Sequence, residues 1–308
     1  MSNVLITGCF GFIGSALMKK LRLEGHRVLG VGRGILPAEE GKGDDYICGD
    51  LNSTFLASFY AKHDFKPDYV FHLAGSASVA RAEASPSESL ENNVVTTLRL
   101  LEWVRCYCPS AKVIFSSSAA VYGSNESNSL LKESNIPCPV STYGQHKIFA
   151  EDIALSYASR SELDVRIARL FSVYGPGLKK QFLWDFCNRV SENQSSYLEM
   201  FGSGDELRDW IFIDDLVSML WNFAQNDNCQ VVMNIGTGVA NTVKGLAELI
   251  LNEFGRSDIR LDFNGNKRIG DPVSLVADVS RQSCLNFPCQ VDLATGVKHY
   301  VQWFLNER

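Results

Sequence analysis

The chain has 308 residues, of which 45% are hydrophobic and 21% are charged, and its formal net charge is −6. This composition excludes a disordered chain, which has fewer apolar residues and more net charge, and it provides no basic surface for nucleic acid. No apolar stretch approaches the roughly 20 residues that span a bilayer, and the N-terminus lacks the features of a secretory signal. We therefore expect a cytoplasmic globular protein with neither a membrane nor a nucleic-acid partner.

The nine cysteines are scattered along the chain, and no two of them form a C-x-x-C pair. Zinc sites and disulfide frameworks both need characteristic cysteine spacings, which are missing here. The sequence therefore predicts free thiols, no disulfide framework and no metal site.

The first half of the chain alternates between short β-rich runs and stretches with helical spacing. Strand-like runs occupy residues 4–7, 27–31, 69–73 and 113–116, and helical stretches occupy residues 12–23 and 92–106. Strand–helix–strand repetition is typical of parallel strands joined by crossover helices. We expect an α/β protein with a doubly wound, Rossmann-type parallel sheet.

The pattern changes after residue 174, where Gly-Pro-Gly at 175–177 interrupts it. The remainder mixes helices, short strands and loops. We predict a dinucleotide-binding domain over residues 1–174, with returning segments around 209–252. Most of residues 175–308 would then form a smaller lobe that binds a nucleotide sugar.

The segment TGCFGFIG at 7–14 places Gly8, Gly11 and Gly14 in a G-x-x-G-x-x-G pattern. Glycines in this pattern permit a tight turn, close approach of the backbone to a pyrophosphate, and close packing of the helix on the sheet. A lone glycine motif also fits a flexible turn. This one follows a strand and opens a helix whose N-terminus can bind phosphate, so we predict a dinucleotide site.

The second strand ends in Gly32 and Arg33, where NAD-binding proteins often carry an acid that binds the ribose 2′-hydroxyl. Glycine would leave room for a 2′-phosphate, and a guanidinium can bind it through two hydrogen bonds. We therefore expect NADP(H) to be preferred, with NAD(H) possible if the acid comes from elsewhere. Asp50, in the segment CGDL that ends with Leu51, can accept a hydrogen bond from the adenine amino group.

Tyr143 and Lys147 are spaced i, i+4, so a helix would place them on one face. An ammonium group beside a phenol favours the phenolate and lowers its pKa. Such a tyrosine can exchange the proton that accompanies hydride transfer at a carbinol or ketone. Ser118, in the run SSSAAVYG, has a hydroxyl that can hold the same oxygen.

The chain resembles the extended short-chain dehydrogenase/reductase family, in particular its nucleotide-sugar epimerases, dehydratases and 4-ketoreductases. The resemblance runs nearly from end to end. It is carried by TGCFGFIG, CGDL, HLAG at 72–75, NNV at 92–94, SSSAAVYG at 116–123, YGQHK at 143–147, VYGPG at 173–177, RDWIFIDD at 208–215, NIGTG at 234–238 and RIGDP at 268–272.

The resemblance implies roles for individual residues and a homodimer that forms through helices beginning near Asn92 and Tyr143. It makes Ser118, Tyr143 and Lys147 the catalytic residues, with Tyr143 as the acid/base. The candidate cofactor-binding residues are Gly8, Gly11, Phe12, Ile13, Gly14, Arg33, Asp50, Leu51, Leu73, Ala74, Gly75, Asn93, Ser116, Tyr143 and Lys147. The candidate residues for a nucleotide-diphosphate sugar are Ser78, Ser118, Arg208, Arg268 and Asp271.

Two departures from the family pattern narrow the reaction. Family dehydratases carry acids where this chain has Ala119 and Ala120, so 4,6-dehydration is not expected. Many members have an asparagine that contacts the substrate diphosphate where this chain has Ser172.

Three functions remain open. The Gly32–Arg33 pair favours a reductase in which NADPH delivers hydride to C4 of a nucleotide-linked 4-keto-6-deoxy sugar and Tyr143 protonates the oxygen. The alternative is a nucleotide-sugar 4-epimerase with a tightly bound NAD(P), which SSSAAVYG resembles. A cofactor-binding regulator without catalysis is disfavoured, because Ser118, Tyr143 and Lys147 are all present.

Overall fold

The computed structural model describes residues 1–34, 46–52, 54–56, 58, 65–266 and 272–307. The strands are β1 (Asn3–Thr7), β2 (Arg27–Gly32), β3 (Tyr46–Cys48), β4 (Tyr69–His72), β5 (Lys112–Ser118), β6 (Val165–Leu170), β7 (Ser172–Tyr174), β8 (Tyr197–Met200), β9 (Leu207–Arg208), β10 (Trp210–Phe212), β11 (Val232–Ile235), β12 (Asn241–Thr242), β13 (Arg260–Phe263) and β14 (Ser274–Leu275). The helices are α1 (Phe12–Leu23), α2 (Val79–Ala84), α3 (Pro86–Leu90), α4 (Thr96–Tyr107), α5 (Thr142–Arg160), α6 (Gln181–Glu192), α7 (Ile213–Gln225), α8 (Val243–Glu253) and α9 (Leu293–Asn306).

The main sheet has seven parallel strands in the order β11-β6-β5-β4-β1-β2-β3. The chain starts in the middle, builds outward through β2 and β3, and then crosses β1 to continue with β4. The predicted doubly wound parallel sheet is confirmed. Strand order reverses between β1 and β4, and ligands of such sheets bind in the crevice at the carboxyl ends of the strands around that point.

Helices cover both faces of the sheet. Because successive strand residues point to opposite faces, neighbouring residues of one strand enter different cores. In β1, Val4 and Ile6 pack into the core formed with α1, α7 and α9. Leu5, between them, packs into the opposite core with α4 and α5. Burial on both faces explains why the strands read as continuous apolar runs and not as alternating ones.

The C-terminal half returns to the sheet and also builds small sheets outside it. β11 pairs with β6 and extends the main sheet, while β10 pairs with β7 beside it. A three-stranded sheet has the order β12-β9-β14, and β13 pairs with β8. The division into domains at residue 174 remains a prediction.

The expectation of free thiols is wrong at one pair. Cys229 and Cys284 form a disulfide across 55 residues of sequence. Cys229 follows α7, and Cys284 lies in the 3₁₀ turn Ser280–Leu285, which packs near the end of that helix. Tertiary packing brings the two together, so no local cysteine spacing could have indicated the bond. Within the part of the chain that the structure describes, no helix is long and apolar enough to cross a membrane.

Candidate active site

The turn between β1 and α1 forms a cradle of glycines. Gly8 has φ of +73°, and its N–H donates to the carbonyl oxygen of Val31 near the end of β2 (2.8 Å). A Cβ on Gly8 would lie 2.7 Å from the backbone nitrogen of Ala74, and a Cβ on Gly14 would lie 2.2 Å from the Gly8 carbonyl oxygen. A side chain at either position would push the turn away from β4 or from α1.

The N-terminus of α1 opens directly onto this cradle. Gly11 is the N-cap residue and makes no side-chain capping bond, so the first N–H groups of α1 are available to a ligand. These groups and the positive end of the helix dipole suit a pyrophosphate. Phe12 and Ile13 are half-buried in the same turn. The cradle therefore fits the dinucleotide that the glycine pattern predicts.

A cavity lies beside the cradle, along the carboxyl ends of β1 to β4. The candidate cofactor-binding residues that line it are Gly8, Gly11, Arg33, Asp50, Leu51, Leu73, Ala74 and Gly75. Its walls also contain six residues that were not among those candidates, namely Phe10, Val31, Gly32, Gly49, Asn92 and Thr96. The crevice expected at the strand-order reversal is thus present, and most of its lining comes from strand ends.

The end of β2 differs from the expectation in one respect. Arg33 is exposed and lines the cavity, as a residue that binds a cofactor ribose would. The space beside Gly32, however, is not open, because a Cβ there would lie 2.6 Å from the ring of Phe10. The ring of Phe10 therefore fills the space where a side chain at position 32 would begin, and room for a 2′-phosphate beside Gly32 remains a prediction.

Asn93 holds the loop that follows β4. It is 1% exposed and lies in the π-helical turn Glu91–Val95, a type of turn found often at functional sites. Its side-chain oxygen accepts from the N–H of Ser76 (3.2 Å), and its amide donates to the carbonyl oxygen of Ser89 (2.9 Å). A Cβ on Gly75 would lie 2.7 Å from the same side-chain oxygen. Asn93 therefore fixes the cavity wall at Gly75 through its side chain.

The predicted catalytic residues meet where β5 ends and α5 begins. Ser118 is the last residue of β5, and Tyr143 and Lys147 lie in the first two turns of α5. Gly144 permits the contact, because a Cβ there would lie 2.6 Å from the Ala120 carbonyl oxygen. The structure thus joins residues that are 25 positions apart in sequence.

Direct contacts order this group. The Ser118 hydroxyl lies close enough to the Tyr143 hydroxyl to lower its pKa. The Lys147 ammonium donates to the carbonyl oxygen of Ser116 (2.8 Å) and lies 6.0 Å from the centre of the Tyr143 ring. Backbone contacts therefore hold Ser118 and Lys147 beside Tyr143, where the sequence predicts proton exchange.

Burial sets the acidities of the site. Burial raises the pKa of Tyr143 to about 12, although the nearby Ser118 hydroxyl lowers it in part. The expected fall in the phenol pKa beside an ammonium is therefore wrong for the ligand-free chain, because burial has the larger effect. Burial also lowers the pKa of Lys147 to about 8, and the nearby Glu151 carboxylate opposes that change.

Glu151 belongs to a buried network that the sequence did not reveal. It follows Lys147 by one helical turn, accepts a hydrogen bond from Ser117, and pairs with Arg169 (2.7 Å). The Arg169 guanidinium also donates to the Tyr122 hydroxyl (3.0 Å), which donates to Asn234 (2.6 Å). The side chains of Glu151 and Arg169 are 4% and 6% exposed. The four-residue spacing of Tyr143, Lys147 and Glu151 was the sequence signal that could have placed Glu151 on the same helix face.

The predicted substrate residues are only partly described. Ser78 is exposed and caps α2, and Arg208 is buried in β9, where it donates to the carbonyl oxygen of its neighbour Leu207 (2.9 Å). Ser172 begins β7, next to Trp210. Arg268 and Asp271 lie outside the described residues.

Asp209, beside Arg208, was not predicted either. This fully buried carboxylate accepts from the N–H and hydroxyl of Thr237 (2.7 and 2.6 Å) and from the N–H groups of Gly238 (2.9 Å) and Ala277 (3.2 Å). Burial raises its pKa despite these bonds. It ties the β9 strand that carries Arg208 to two neighbouring segments.

Ala119 and Ala120 lie directly after Ser118, in a 3₁₀ turn that packs against α5. Ala119 is buried, and the Ala120 N–H donates to the Ser118 hydroxyl (3.2 Å). Neither side chain carries a proton to give to a leaving group. The geometry supports proton exchange at Tyr143 without a second acid in this turn.

The known proteins most similar in sequence and in structure include enzymes named for UDP sugars, and they match nearly the whole chain. UDP-glucose 4-epimerase from Mycolicibacterium smegmatis is 29% identical over 317 residues, which cover 99% of this chain and 99% of that protein. Among solved structures, MoeE5 in complex with UDP-glucuronic acid and NAD is 33% identical with a TM-score of 0.86, over 99% of this chain and 100% of that one. UDP-glucose 4-epimerase from Thermotoga maritima with UDP-glucose is 29% identical with a TM-score of 0.89, over 99% of each chain.

The sequence model of the NAD dependent epimerase/dehydratase family matches residues 4–236, which include the glycine cradle and all three predicted catalytic residues. The TM-score of 0.86 to MoeE5 agrees with that match, and so do relatives that are matched over nearly their full length. The chain therefore belongs to the NAD dependent epimerase/dehydratase family, as its resemblance to nucleotide-sugar short-chain dehydrogenases/reductases implied.

Proposed function

We propose that this protein is a UDP-sugar 4-epimerase that retains a nicotinamide dinucleotide through each turnover. The observation that carries the proposal is the placement of Ser118 beside the buried Tyr143 hydroxyl, with Lys147 one turn further along α5. This group follows the β5 strand, next to the β4 loop that lines the dinucleotide cavity. Relatives with this fold are named as UDP-glucose 4-epimerases, as those from M. smegmatis and T. maritima are, or as 4-epimerases of other UDP sugars such as UDP-glucuronic acid.

When bound, the nicotinamide dinucleotide supplies a hydride acceptor, a positive charge that favours the phenolate, and later the same hydride. Tyr143, as phenolate, takes the proton of the sugar 4-hydroxyl while hydride leaves C4, which gives a 4-keto sugar. Ser118 holds the reacting oxygen, and the Lys147 ammonium favours the phenolate. After the sugar presents its other face, hydride returns to C4 and Tyr143 returns the proton to the oxygen. No net oxidation results.

The epimerase has better support than the 4-ketoreductase that the sequence favoured. That preference depended on Gly32 and Arg33 as a site for NADPH. Phe10 gives Gly32 a packing role instead, so the pair is weaker support for a dissociable NADPH. MoeE5, with 33% identity, was solved with NAD bound and with UDP-glucuronic acid or UDP-glucose. We therefore propose a UDP-hexose or UDP-hexuronic acid as the substrate, with its diphosphate bound by Arg208.

We also propose a homodimer through α4 and α5. Leu98 on α4 and Phe149 on α5 are each 42% exposed, which is high for large apolar side chains. Pairing of these two helices with their copies would cover both. Replacement of both by glutamate should convert a dimer to a monomer in light scattering, whereas an unchanged mass would contradict this interface.

The proposed reaction is tested by incubating the purified protein with UDP-glucose or UDP-glucuronic acid and separating the sugar products. We expect the C4 epimer to accumulate to an equilibrium without added cofactor and without net change in absorbance at the wavelength of NAD(P)H. Stoichiometric loss of NADPH with a nucleotide-linked 4-keto-6-deoxyhexose, and no epimer from either UDP sugar, would overturn the proposal in favour of the ketoreductase.

A further inference from the structure

One row of glycines on β2 and its extension faces the phosphate turn. Gly30, Gly32 and Gly34 are spaced by two residues, so an extended chain points their missing side chains to the same side. A Cβ on Gly30 would lie 2.8 Å from the Cβ of Cys9. The row therefore makes room for bulky residues of the turn between β1 and α1.

Phe10 occupies the outer part of that room. A Cβ on Gly32 would lie 2.6 Å from its ring, and a Cβ on Gly34 would lie 2.8 Å from it. On its other side the ring stacks on Tyr46 of β3, with ring centres 5.8 Å apart and planes at 18°. The phenyl ring thus lies between two glycines and an aromatic side chain, with the cavity beside it.

This position is also part of the cofactor cavity. Phe10, Gly32, Arg33 and Asp50 all line the same end of it, beyond the carboxyl ends of β2 and β3. In dinucleotide sites of this topology, the residue at the end of the second strand determines whether the ribose 2′ position may carry a phosphate. Phe10 therefore stands where an acidic side chain from position 32 would reach the ribose.

We propose that Phe10 is a specificity-determining residue, which excludes a ribose-binding carboxylate at position 32 and leaves recognition of the 2′ position to the exposed Arg33. The site would then accept a 2′-phosphate beside Arg33, and both NADP and NAD would bind. This inference rests on the proposed function only in that it concerns the same cofactor site. Phe10 is a neutral, apolar residue, so its effect is steric. Its ring limits which side chain position 32 can carry.

The test is a competition that does not depend on turnover. Purified protein is incubated with equal, saturating NAD⁺ and NADP⁺, unbound nucleotide is removed, and the retained dinucleotides are extracted and quantified. The variants are Gly32→Asp, Phe10→Ala, the double variant Phe10→Ala/Gly32→Asp and Arg33→Ala. Arg27→Ala is the matched control, because Arg27 is exposed at the opposite end of β2 and does not line the cavity. Thermal unfolding of each variant reports whether it folds.

We expect Gly32→Asp alone to retain less of both dinucleotides with little change in their ratio, because the ring blocks the new carboxylate. The double variant should retain NAD⁺ and lower the NADP⁺ to NAD⁺ ratio by about 30-fold, within the range for gain or loss of a hydrogen bond to a charged group. Arg33→Ala should lower that ratio by about tenfold, and Arg27→Ala should not change it.

A fall in the ratio for Gly32→Asp as large as that for the double variant would overturn the role of Phe10. If Gly32→Asp does not fold, the test is the comparison between Phe10→Ala and the double variant. Equal ratios of retained NADP⁺ to NAD⁺ in these two variants would overturn the proposal. An unchanged ratio in Arg33→Ala would overturn the role of Arg33. Because the assay contains no sugar, these outcomes are independent of whether the protein epimerises a UDP sugar.

Discussion

The two ends of the candidate active site are built in opposite ways. At the predicted catalytic end, Tyr143 and Lys147 are 7% and 5% exposed, and the Lys147 ammonium donates to the carbonyl oxygen of Ser116. At the adenosine end, Arg33 and Asp50 are exposed. Burial shifts the pKa values at the first end, whereas the second end depends on the space that Phe10 leaves. Burial and charge therefore distinguish the predicted catalytic end, and packing distinguishes the predicted adenosine end.

The largest effect is expected at the catalytic end. Tyr143→Phe removes the buried hydroxyl that we propose exchanges the proton, while the ring and its packing remain. The rate of epimer formation should fall by about 10³-fold, as for loss of a general acid/base. The retained cofactor should match that of the unchanged protein. Turnover within a few fold of the original would show that another group moves the proton.

Substitution in the glycine cradle between the two ends should have the next largest effect, which is a loss of retained dinucleotide. Gly14→Ala places a Cβ 2.2 Å from the Gly8 carbonyl oxygen, so the phosphate turn must shift. We expect the amount of retained dinucleotide to fall at least about tenfold, because overpacking moves the N–H groups that bind the pyrophosphate. Glu24→Ala, at the exposed far end of α1, is the control. Full cofactor content in Gly14→Ala would mean that the turn does not bind the pyrophosphate.

The pH dependence of turnover tests how burial affects the charge of Lys147. Its pKa is lowered to about 8, so the ammonium that favours the phenolate is lost as the pH rises through that value. We expect turnover to decline on the alkaline side near this pH. Glu151→Gln removes the carboxylate that raises this pKa, so the decline should begin at a lower pH.

The comparison for this variant is its rate at pH 6 and at pH 8.5. A purely structural role for Glu151 would lower both rates in proportion and leave the shape of the profile unchanged. Glu151→Asp keeps the charge and should restore the original profile in part. Unfolding curves at both pH values separate a loss of activity from a loss of fold.

The smallest effect is expected at Asp50. This carboxylate is exposed, and a hydrogen bond to adenine there competes with water. Asp50→Asn should weaken dinucleotide binding by about threefold, at the low end for a single hydrogen bond, and leave the turnover rate of the loaded enzyme unchanged. A loss as large as that in Gly14→Ala would show that the adenosine end is not governed by shape alone.

Local patterns were sufficient for the fold and for part of the site. Apolar strand runs alternating with helical spacing predict the parallel sheet, since a strand buried on both faces must be apolar throughout. The glycines at 8, 11 and 14 predict a turn against a helix N-terminus, because few other residues fit. The i, i+4 spacing of Tyr143 and Lys147 predicts a shared helix face. Each of these signals lies within a few residues of sequence.

The sequence by itself determined the doubly wound sheet, the glycine cradle and the residue types of the catalytic group, because each depends on local backbone geometry or on the period of side chains along one element. Only the tertiary structure decided that Phe10 fills the space at Gly32, that Glu151 pairs with Arg169 behind Lys147, and that burial raises the pKa of Tyr143. Those features depend on which distant segments pack together, and on how much water that packing removes, which no local pattern records.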